Sequence, residues 1–212
     1  MAERRPRTGL TREKVLDAAL AHLDRYGLEA LSLRKLGAAL GVEGMTLYHY
    51  VPSKAALLDG IVERLVQMAD AEITPRPDEP WPELLRHTAE GLHTVLRRHP
   101  AALHVLATRP VTSPAAVAVL ENALDHLVTR GAALGTAMDA LNAVTAFVIG
   151  HTLAEVGTTP GTDGESDPTA AIDAQTHPRF ARAVATGAGL DFDARFTLVV
   201  DILVKGFEAR VP

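Results

Sequence analysis

The chain has 212 residues, of which 47% are hydrophobic and 22% charged, values typical of a globular protein. It contains no cysteine, which excludes disulfides, thiolate metal sites and thiol catalysis. The net charge of −5 is unevenly distributed: residues 1–65 carry ten Lys or Arg against eight Asp or Glu, whereas 66–212 carry eleven against eighteen. A basic end on an acidic body predicts that the first part meets a polyanion.

No segment predicts export or a membrane span. The basic N-terminus is not followed by an apolar run of signal-peptide length, because Asp17 and His22 interrupt 15–23. The most apolar stretch, 140–150, is too short to cross a bilayer and contains Asn142. We therefore expect a cytoplasmic protein without a membrane partner.

Apolar residues recur at helical spacing along the chain and no run alternates with a period of two, so the predicted fold class is all-α. Caps and breakers divide the chain into successive helices. The first is predicted to begin after Thr11 and end at Gly27, and the others to cover 33–40, 44–50, 54–72, 82–99, 101–108, 114–129, 136–156, 179–185 and 194–210. Four prolines make 74–82 a stiff linker, and 157–168 is predicted to be a mobile loop.

The stretch 33–50 carries the most informative functional pattern. Two short helices joined by a glycine-containing connection, 41–44, form the helix-turn-helix pattern, whose second helix enters the major groove of DNA. Leucines of the first helix are expected to pack with Val42 and Leu47, which leaves the other side chains outward. The candidate DNA contacts, to bases or phosphates, are Arg34, Gly44, Met45, Thr46, Tyr48, His49, Tyr50 and Lys54.

A basic arm precedes the first helix, with three arginines in 4–7. Such an arm can lie along a minor groove. A disordered, solubilising tail has the same composition, so both interpretations of the arm stay open.

Three segments together resemble the DNA-binding domain of the TetR family: VLDAAL (15–20), YGLEALSLRKLGAALGV (26–42) and TLYHYVPSKAALLDGI (46–61). The resemblance implies DNA-facing roles for Arg34, Thr46, Tyr48, Tyr50 and Lys54. Gly44 departs from the family pattern, in which a longer polar side chain often stands near this point to read a base. Because Gly44 has no such side chain, we expect Met45, Thr46 and His49 to contact the bases instead.

Weaker similarity to the effector domain of the tetracycline-repressor branch runs through WPELLRHTAEGLHTVLRRHP (81–100), ATRP (107–110), VTAFVIGHTLAE (144–155) and VDILVKGFEA (200–209). It implies two domains, a helix-turn-helix domain over 1–60 and a helical effector-binding and dimerisation domain over 61–212. The turn at 108–110 is expected beside the ligand. The candidate ligand-binding residues are Met68, His87, Thr88, Leu92, His104, Val105, Thr108, Arg109, Asn122, Leu141, Thr145, Phe147 and His151.

The resemblance also implies a homodimer, in which 136–156 and 194–210 of each chain form a four-helix bundle. The apolar stripes expected on these helices are Leu141, Val144, Val148 and Thr152, and Phe196, Val199, Val200, Leu203 and Phe207.

The similarity fails where the branch binds tetracycline with magnesium. The branch's metal-binding histidine aligns with Val105, and His104 lies one residue out of phase. Where the branch has a second histidine, this chain has Asp70, and where the branch has an amide side chain, this chain has Thr88. Because valine is no metal ligand, we do not expect tetracycline–magnesium to be the effector.

The nine histidines form no motif that predicts catalysis or metal binding. His87 and His93 are six residues apart, on different helix faces, and His99 and His104 flank a break at proline. We therefore expect no catalytic site, no metal and no cofactor. The favoured interpretation is a small-molecule-responsive repressor that binds a palindromic operator. An activator, a small helical enzyme and a protein-binding helix-turn-helix module remain as alternatives.

Overall fold

The computed structural model describes residues 9–156, 172–187 and 191–210, and within these residues it is all helical, which confirms the predicted fold class. The expected arm at 4–7 and the expected loop at 157–168 lie outside the described residues. The helices are α1 (Arg12–Tyr26), α2 (Leu33–Ala39), α3 (Gly44–Leu47), α4 (Lys54–Ala71), α5 (Trp81–Arg98), α6 (Leu103–Thr108), α7 (Pro114–Thr129), α8 (Leu134–Val156), α9 (Pro178–Ala185) and α10 (Phe192–Glu208). A 3₁₀ turn, Pro100–Ala102, precedes α6.

Four helices begin where the sequence places a hydroxyl cap. Thr11, Ser32, Ser53 and Ser113 each accept a hydrogen bond from the backbone N–H three residues on, at 3.0–3.3 Å. Each bond satisfies one of the N–H groups that a helix start leaves without an intrahelical partner. These caps are why the starts of α1, α2, α4 and α7 match the predicted ones.

The helix α3 is shorter than predicted. It ends at Leu47, and the chain continues to Tyr50 in tighter turns, with the N–H of Tyr50 donating to the Leu47 carbonyl at 2.9 Å. The N–H groups of Tyr48, His49 and Tyr50 all donate to carbonyls three residues back, the spacing of a 3₁₀ turn, and Pro52 prevents the helix from continuing through Val51. The side chains of 44–50 nevertheless remain on one short segment.

The long helix α4 belongs to both parts of the molecule. A Cβ added at Gly60 would lie 2.4 Å from Leu16 of α1, and one added at Gly91 of α5 would lie 2.9 Å from the Ala69 carbonyl. The first half of α4 therefore packs on α1 and its second half on α5. The expected domain boundary at residue 60 falls inside this continuous helix.

The helices α5, α8 and α10 pack together in the C-terminal body, and this packing corrects the expected dimer stripes. Val144, Val148 and Thr152 of α8 are buried within the chain, as are Phe196 and Val200 of α10. They face α5 and each other, so they are unavailable to a second copy.

Another set of apolar or small side chains faces outward on α8 and α10. Leu198 and Ile202 are 60% and 58% exposed. The outer stripe, as we call it, consists of Ala194, Leu198, Ile202 and Gly206 on α10 with Ala146, Gly150 and Leu153 on α8. Its members recur three or four residues apart, the spacing of one helix face.

Within the described residues, α8 is the one helix that is long and apolar enough to span a membrane, and a third of its apolar stretch is buried. A core helix can have the same length and composition, so this feature is weak evidence for a membrane.

Candidate DNA-binding surface and ligand cavity

The turn between α2 and α3 has a fixed geometry. Gly41 has φ +68°, a conformation that glycine adopts without strain. The N–H of Val42 donates to the Gly37 carbonyl at 2.9 Å, and that of Gly41 to the Ala38 carbonyl at 3.2 Å. These two bonds form a Schellman end to α2, which sets the direction in which α3 leaves.

Two glycines let α2 and α3 touch through their backbones. A Cβ added at Gly37 would lie 3.0 Å from the Cα of Gly44, and one added at Gly44 would lie 3.3 Å from the Cα of Arg34. Gly44, expected at the DNA surface, therefore lies against α2. Its small size permits the close contact between the two helices.

The other candidate DNA contacts surround this junction. Leu47 is fully buried and anchors α3, whereas Met45 is 72% and Tyr48 48% exposed. His49, Arg34 and Lys54 are exposed, Thr46 is half-buried, and Tyr50 is half-buried against the core. Seven of the eight candidates thus keep at least part of the side chain accessible.

A mainly apolar cavity of about 220 Å³ lies in the C-terminal body. Its walls come from α4, α5, α6, α7 and α8 and from two residues outside the helices, Ile73 and Val111. The lining residues are Val66, Ala69, Asp70, Ile73, Thr88, Leu92, Leu106, Val111, Val119, Leu120, Ala123, Leu124, Met138, Leu141, Asn142 and Thr145. An adjoining cleft of about 130 Å³ shares Asp70, Ile73, Thr88 and Ala123 with it and extends to Pro75, Leu84 and His126.

The structure brings four of the predicted ligand residues to this cavity: Thr88, Leu92, Leu141 and Thr145. The others do not line it. Met68 is half-buried against the core, Val105 is buried in it, and His104, Thr108 and Asn122 are exposed. The Nδ1 of His87 lies 3.0 Å from the Oε1 of Glu79. Arg109 is paired with Asp59 of α4.

Helical phase explains the residues that sequence reasoning missed. Val66 and Asp70 are four residues apart on α4, so they share the face that forms the cavity wall, and Ile73 lies just past the end of the helix. Met68, two residues from Val66, points to a different side. On α7 the cavity is lined by Ala123 and Leu124, next to the predicted Asn122.

Phe147 and His151 belong to an aromatic group on the other side of α8. The His151 ring centre lies 5.3 Å from that of Phe147, 5.4 Å from Phe196 and 5.7 Å from Phe192. Burial lowers the pKa of His151 from 6.5, and the neighbouring His93 and Arg195 lower it further. The imidazole is therefore neutral at neutral pH.

Both the N-terminal and the C-terminal part of the chain match known protein families. Residues 15–61 match the sequence model of the bacterial regulatory proteins of the tetR family, and residues 74–211 match that of the tetracyclin repressor-like C-terminal domain. The tetracycline repressor protein class D of Escherichia coli is 32% identical over 204 residues, which are 95% of this chain and 91% of that protein.

Solved structures show the same architecture. A possible TetR family transcriptional regulator from Streptomyces coelicolor A3(2) superposes with a TM-score of 0.75 at 30% identity, over 93% of this chain and 98% of that one. TetR-Q116A from Acinetobacter baumannii AYE, solved in complex with minocycline, gives 0.69 at 25% identity, over 94% and 97%. These relatives are transcriptional regulators with a helix-turn-helix domain and a ligand-binding domain. This chain belongs to the TetR family of transcriptional regulators.

Proposed function

We propose that this chain is a ligand-responsive repressor, which binds a near-palindromic operator as a homodimer and leaves it when a small molecule occupies the cavity. The helix α4 carries the proposal: its first residue, Lys54, lies beside the helix-turn-helix surface, and Val66, Ala69 and Asp70 towards its other end line the cavity. A ligand that shifts the second half of α4 therefore acts on the element that supports the DNA-binding surface.

The outer stripe of α8 and α10 supports the dimer. Soluble monomers rarely leave a large contiguous apolar patch exposed, and a twofold copy of the stripe would cover it with two helices from each chain. A dimer of this kind presents two helix-turn-helix surfaces to one duplex. Operator binding requires these to stand about one helical turn apart, roughly 34–36 Å.

The control mechanism is a two-state equilibrium between a DNA-binding dimer and a dimer with a different spacing of the two surfaces. An effector changes the populations only through its difference in affinity for the two states. A shift from 1:99 to 99:1 requires a difference of about 10⁴-fold, or roughly 5.5 kcal/mol.

The walls of the cavity support a proposal for the chemical class of the effector. Asp70 is the only charged side chain among its lining residues, and Thr88, Asn142 and Thr145 supply hydrogen-bonding groups. These groups suit an apolar molecule, neutral or cationic, with one or two polar substituents. An anion would meet the Asp70 carboxylate without a compensating cation in this wall.

The position that would supply the histidine ligand to tetracycline-bound magnesium does not fit that role. Val105 is 2% exposed and packed in the core, so it offers no donor atom and no access. The proposed effector is therefore a metal-free apolar molecule.

The DNA part of the proposal is tested with the full-length chain and a library of random duplexes. We expect selection of a site with two related half-sites, bound by a dimer as judged by light scattering. Arg34→Ala should weaken binding, whereas Arg182→Ala, which removes the same charge from an exposed position on α9, should not. A failure to enrich any sequence would refute the proposal that the chain is an operator-binding repressor.

The cavity is tested with Nile red, a neutral apolar dye whose fluorescence rises on leaving water. We expect the dye to bind the wild-type chain, and Leu141→Trp to reduce binding by filling the cavity. Val117→Trp is the control, since Val117 is an exposed residue of α7 that does not line the cavity. Equal dye binding by all three proteins would contradict the cavity as the site that binds the dye.

A further inference from the structure

Three side chains with metal-ligating atoms meet between α5 and α8, away from both the cavity and the DNA-binding surface. They are His93 of α5 and His151 and Glu155 of α8, and their donor atoms lie within 4.8 Å of one another. His151 and Glu155 are four residues apart, so they share one helix face. The Nε2 of His93 lies 2.8 Å from the Oε2 of Glu155.

This cluster is buried. His93 and His151 are 8% and 6% exposed, and the side chain of Glu155 is 9% exposed. Two buried imidazoles in contact with a carboxylate are uncommon in a protein interior, because each group loses its hydration on burial.

His151 has a ring nitrogen that the described part of the chain leaves without a hydrogen-bond partner. Its Nε2 is buried and has no hydrogen-bond partner among the described residues. Aromatic rings occupy much of its surroundings, with Phe147, Phe192 and Phe196 all within 6 Å between ring centres. Leaving such a group without a partner is unfavourable, and a bound cation would supply the missing interaction.

The neighbours of the cluster hold its members in place. The His93 ring stacks on Phe196 of α10 with centres 4.1 Å apart and planes 15° apart. The Nε of Arg97 lies 3.2 Å from the second carboxylate oxygen of Glu155. A charged group that binds the outer oxygen of a ligating carboxylate is the arrangement that orients metal ligands in proteins.

We propose that His93, His151 and Glu155 bind a divalent transition-metal ion. Two imidazole nitrogens and one carboxylate oxygen are a donor set that Zn²⁺ uses, with a fourth position left for water, whereas Mg²⁺ and Ca²⁺ prefer oxygen donors alone. Tetrahedral bonds of about 2.0–2.2 Å place donor atoms roughly 3.4 Å apart, so small side-chain rotations from the present separations complete the site.

The site is independent of the proposed repressor function, because it shares no residue with the cavity or the DNA-binding surface. It differs from the sequence-based expectation of no metal, since its ligands come from two helices, and His93 and Glu155 are 62 residues apart. Binding would tie α5 to α8 beneath α10, and a metal that binds only the folded chain raises its stability by mass action.

The test titrates the EDTA-treated full-length chain with ZnCl₂ in a calorimeter and follows thermal unfolding with and without the metal. We expect one ion per chain and a higher Tm with zinc. Co²⁺ should give visible absorption bands of a tetrahedral site, and Mg²⁺ should neither bind nor raise the Tm.

Two variants remove one ligand each. Glu155→Gln preserves the shape of the side chain, and His151→Phe fits the surrounding aromatic rings. Each should weaken zinc binding by at least about tenfold and abolish the zinc-dependent rise in Tm. Should one variant lose its circular dichroism signal, the other still decides the result.

The matched control is His87→Gln, because His87 also contacts a buried glutamate, Glu79, but forms only a two-residue pair. It should bind zinc as the wild type does. Zinc binding that is absent in the wild type, unchanged in both ligand variants, or lost in His87→Gln overturns the proposed site.

Discussion

Arg109, immediately after α6, binds Asp59 of α4: its Nε donates to Oδ1 at 2.9 Å, and its Nη2 lies 2.7 Å from the same oxygen. The Nη2 also donates to the carbonyl of Ala55 at 3.2 Å. Leu106 and Val111, on either side of Arg109, line the cavity. The ion pair thus connects a cavity wall to the first turns of α4.

The energy of this pair is measurable. Both side chains are about one-third exposed, so solvent screens the interaction and limits it to about 1 kcal/mol or less. We expect Arg109→Gln and Asp59→Asn each to lower the free energy of unfolding, and the double variant to lose less than the sum. Urea unfolding at one protein concentration gives the double-mutant cycle. Strictly additive losses would show that the two groups do not stabilise each other.

The buried Glu63 of α4 should make stability depend on pH. Burial raises the pKa of this carboxyl, but hydrogen bonds from Arg12 and Ser113 and the Arg12 charge lower it more, so the folded-state pKa lies below 4.5. A group with a depressed pKa stabilises the fold above its unfolded value and loses that contribution as pH falls through the folded value. The contribution of Glu63 should therefore be full at pH 6 and decline below about 4.5.

Urea midpoints between pH 6 and pH 3 test this expectation. Glu63→Gln should be less stable than the wild type at pH 6, and the difference should shrink towards pH 3. Arg12→Ala should cost about 1–3 kcal/mol at pH 6, because it leaves a buried acceptor without its main partner. A pH-independent difference between wild type and Glu63→Gln would contradict the assignment.

The contact between α2 and α3 should not tolerate a methyl group at Gly37. The added Cβ would lie 3.0 Å from three backbone atoms, so Gly37→Ala is expected to cost about 1–3 kcal/mol and to weaken DNA binding. Gly135→Ala is the control, because Gly135 lies in α8 with no atom within 4 Å of the added Cβ. It should be neutral or slightly stabilising, since alanine favours helix. Thermal unfolding of both variants measures the change in stability, and DNA retardation measures the change in DNA binding.

Lys54 and Thr46 should contribute differently to DNA binding. Lys54→Ala is expected to weaken binding to all duplexes and to reduce the slope of log affinity against log salt by about 1, as loss of one phosphate contact does. Thr46→Ala should instead relax the preference for one base in each half-site. Titrations at several salt concentrations and selection from a random library separate the two effects; an unaltered salt slope for Lys54→Ala removes it from the phosphate contacts.

Local signals explain why so many helix starts were predictable. Ser32, Ser53 and Ser113 act on the N–H groups three residues away, and Gly41 permits a turn that few other residues adopt, so neighbouring sequence determines these features. The helix-turn-helix surface followed from the same short stretch. The predicted length of α3 exceeds the structural one because the sequence does not distinguish a short α-helix from the tighter turns over 48–50.

The cavity and the dimer face depend on packing between distant helices, which one sequence specifies poorly. A helix with apolar residues on several sides, such as α8, does not reveal which side faces the core, and the expected stripe through Val144 and Val148 is buried within the chain. Likewise Met68 is the residue expected in the cavity, whereas Val66 lines it, a difference of about 200° around the helix axis.

Because α4 is one continuous helix, a tilt of the helix at one end also moves its other end. Eighteen residues at 1.5 Å each make a rod about 27 Å long, so a tilt of about 5° at one end displaces the other by about 2 Å. Hydrogen bonds to base edges tolerate only a few tenths of an ångström. In the proposed mechanism, a ligand that tilts α4 by only a few degrees is therefore enough to move the DNA-binding side chains away from their base contacts.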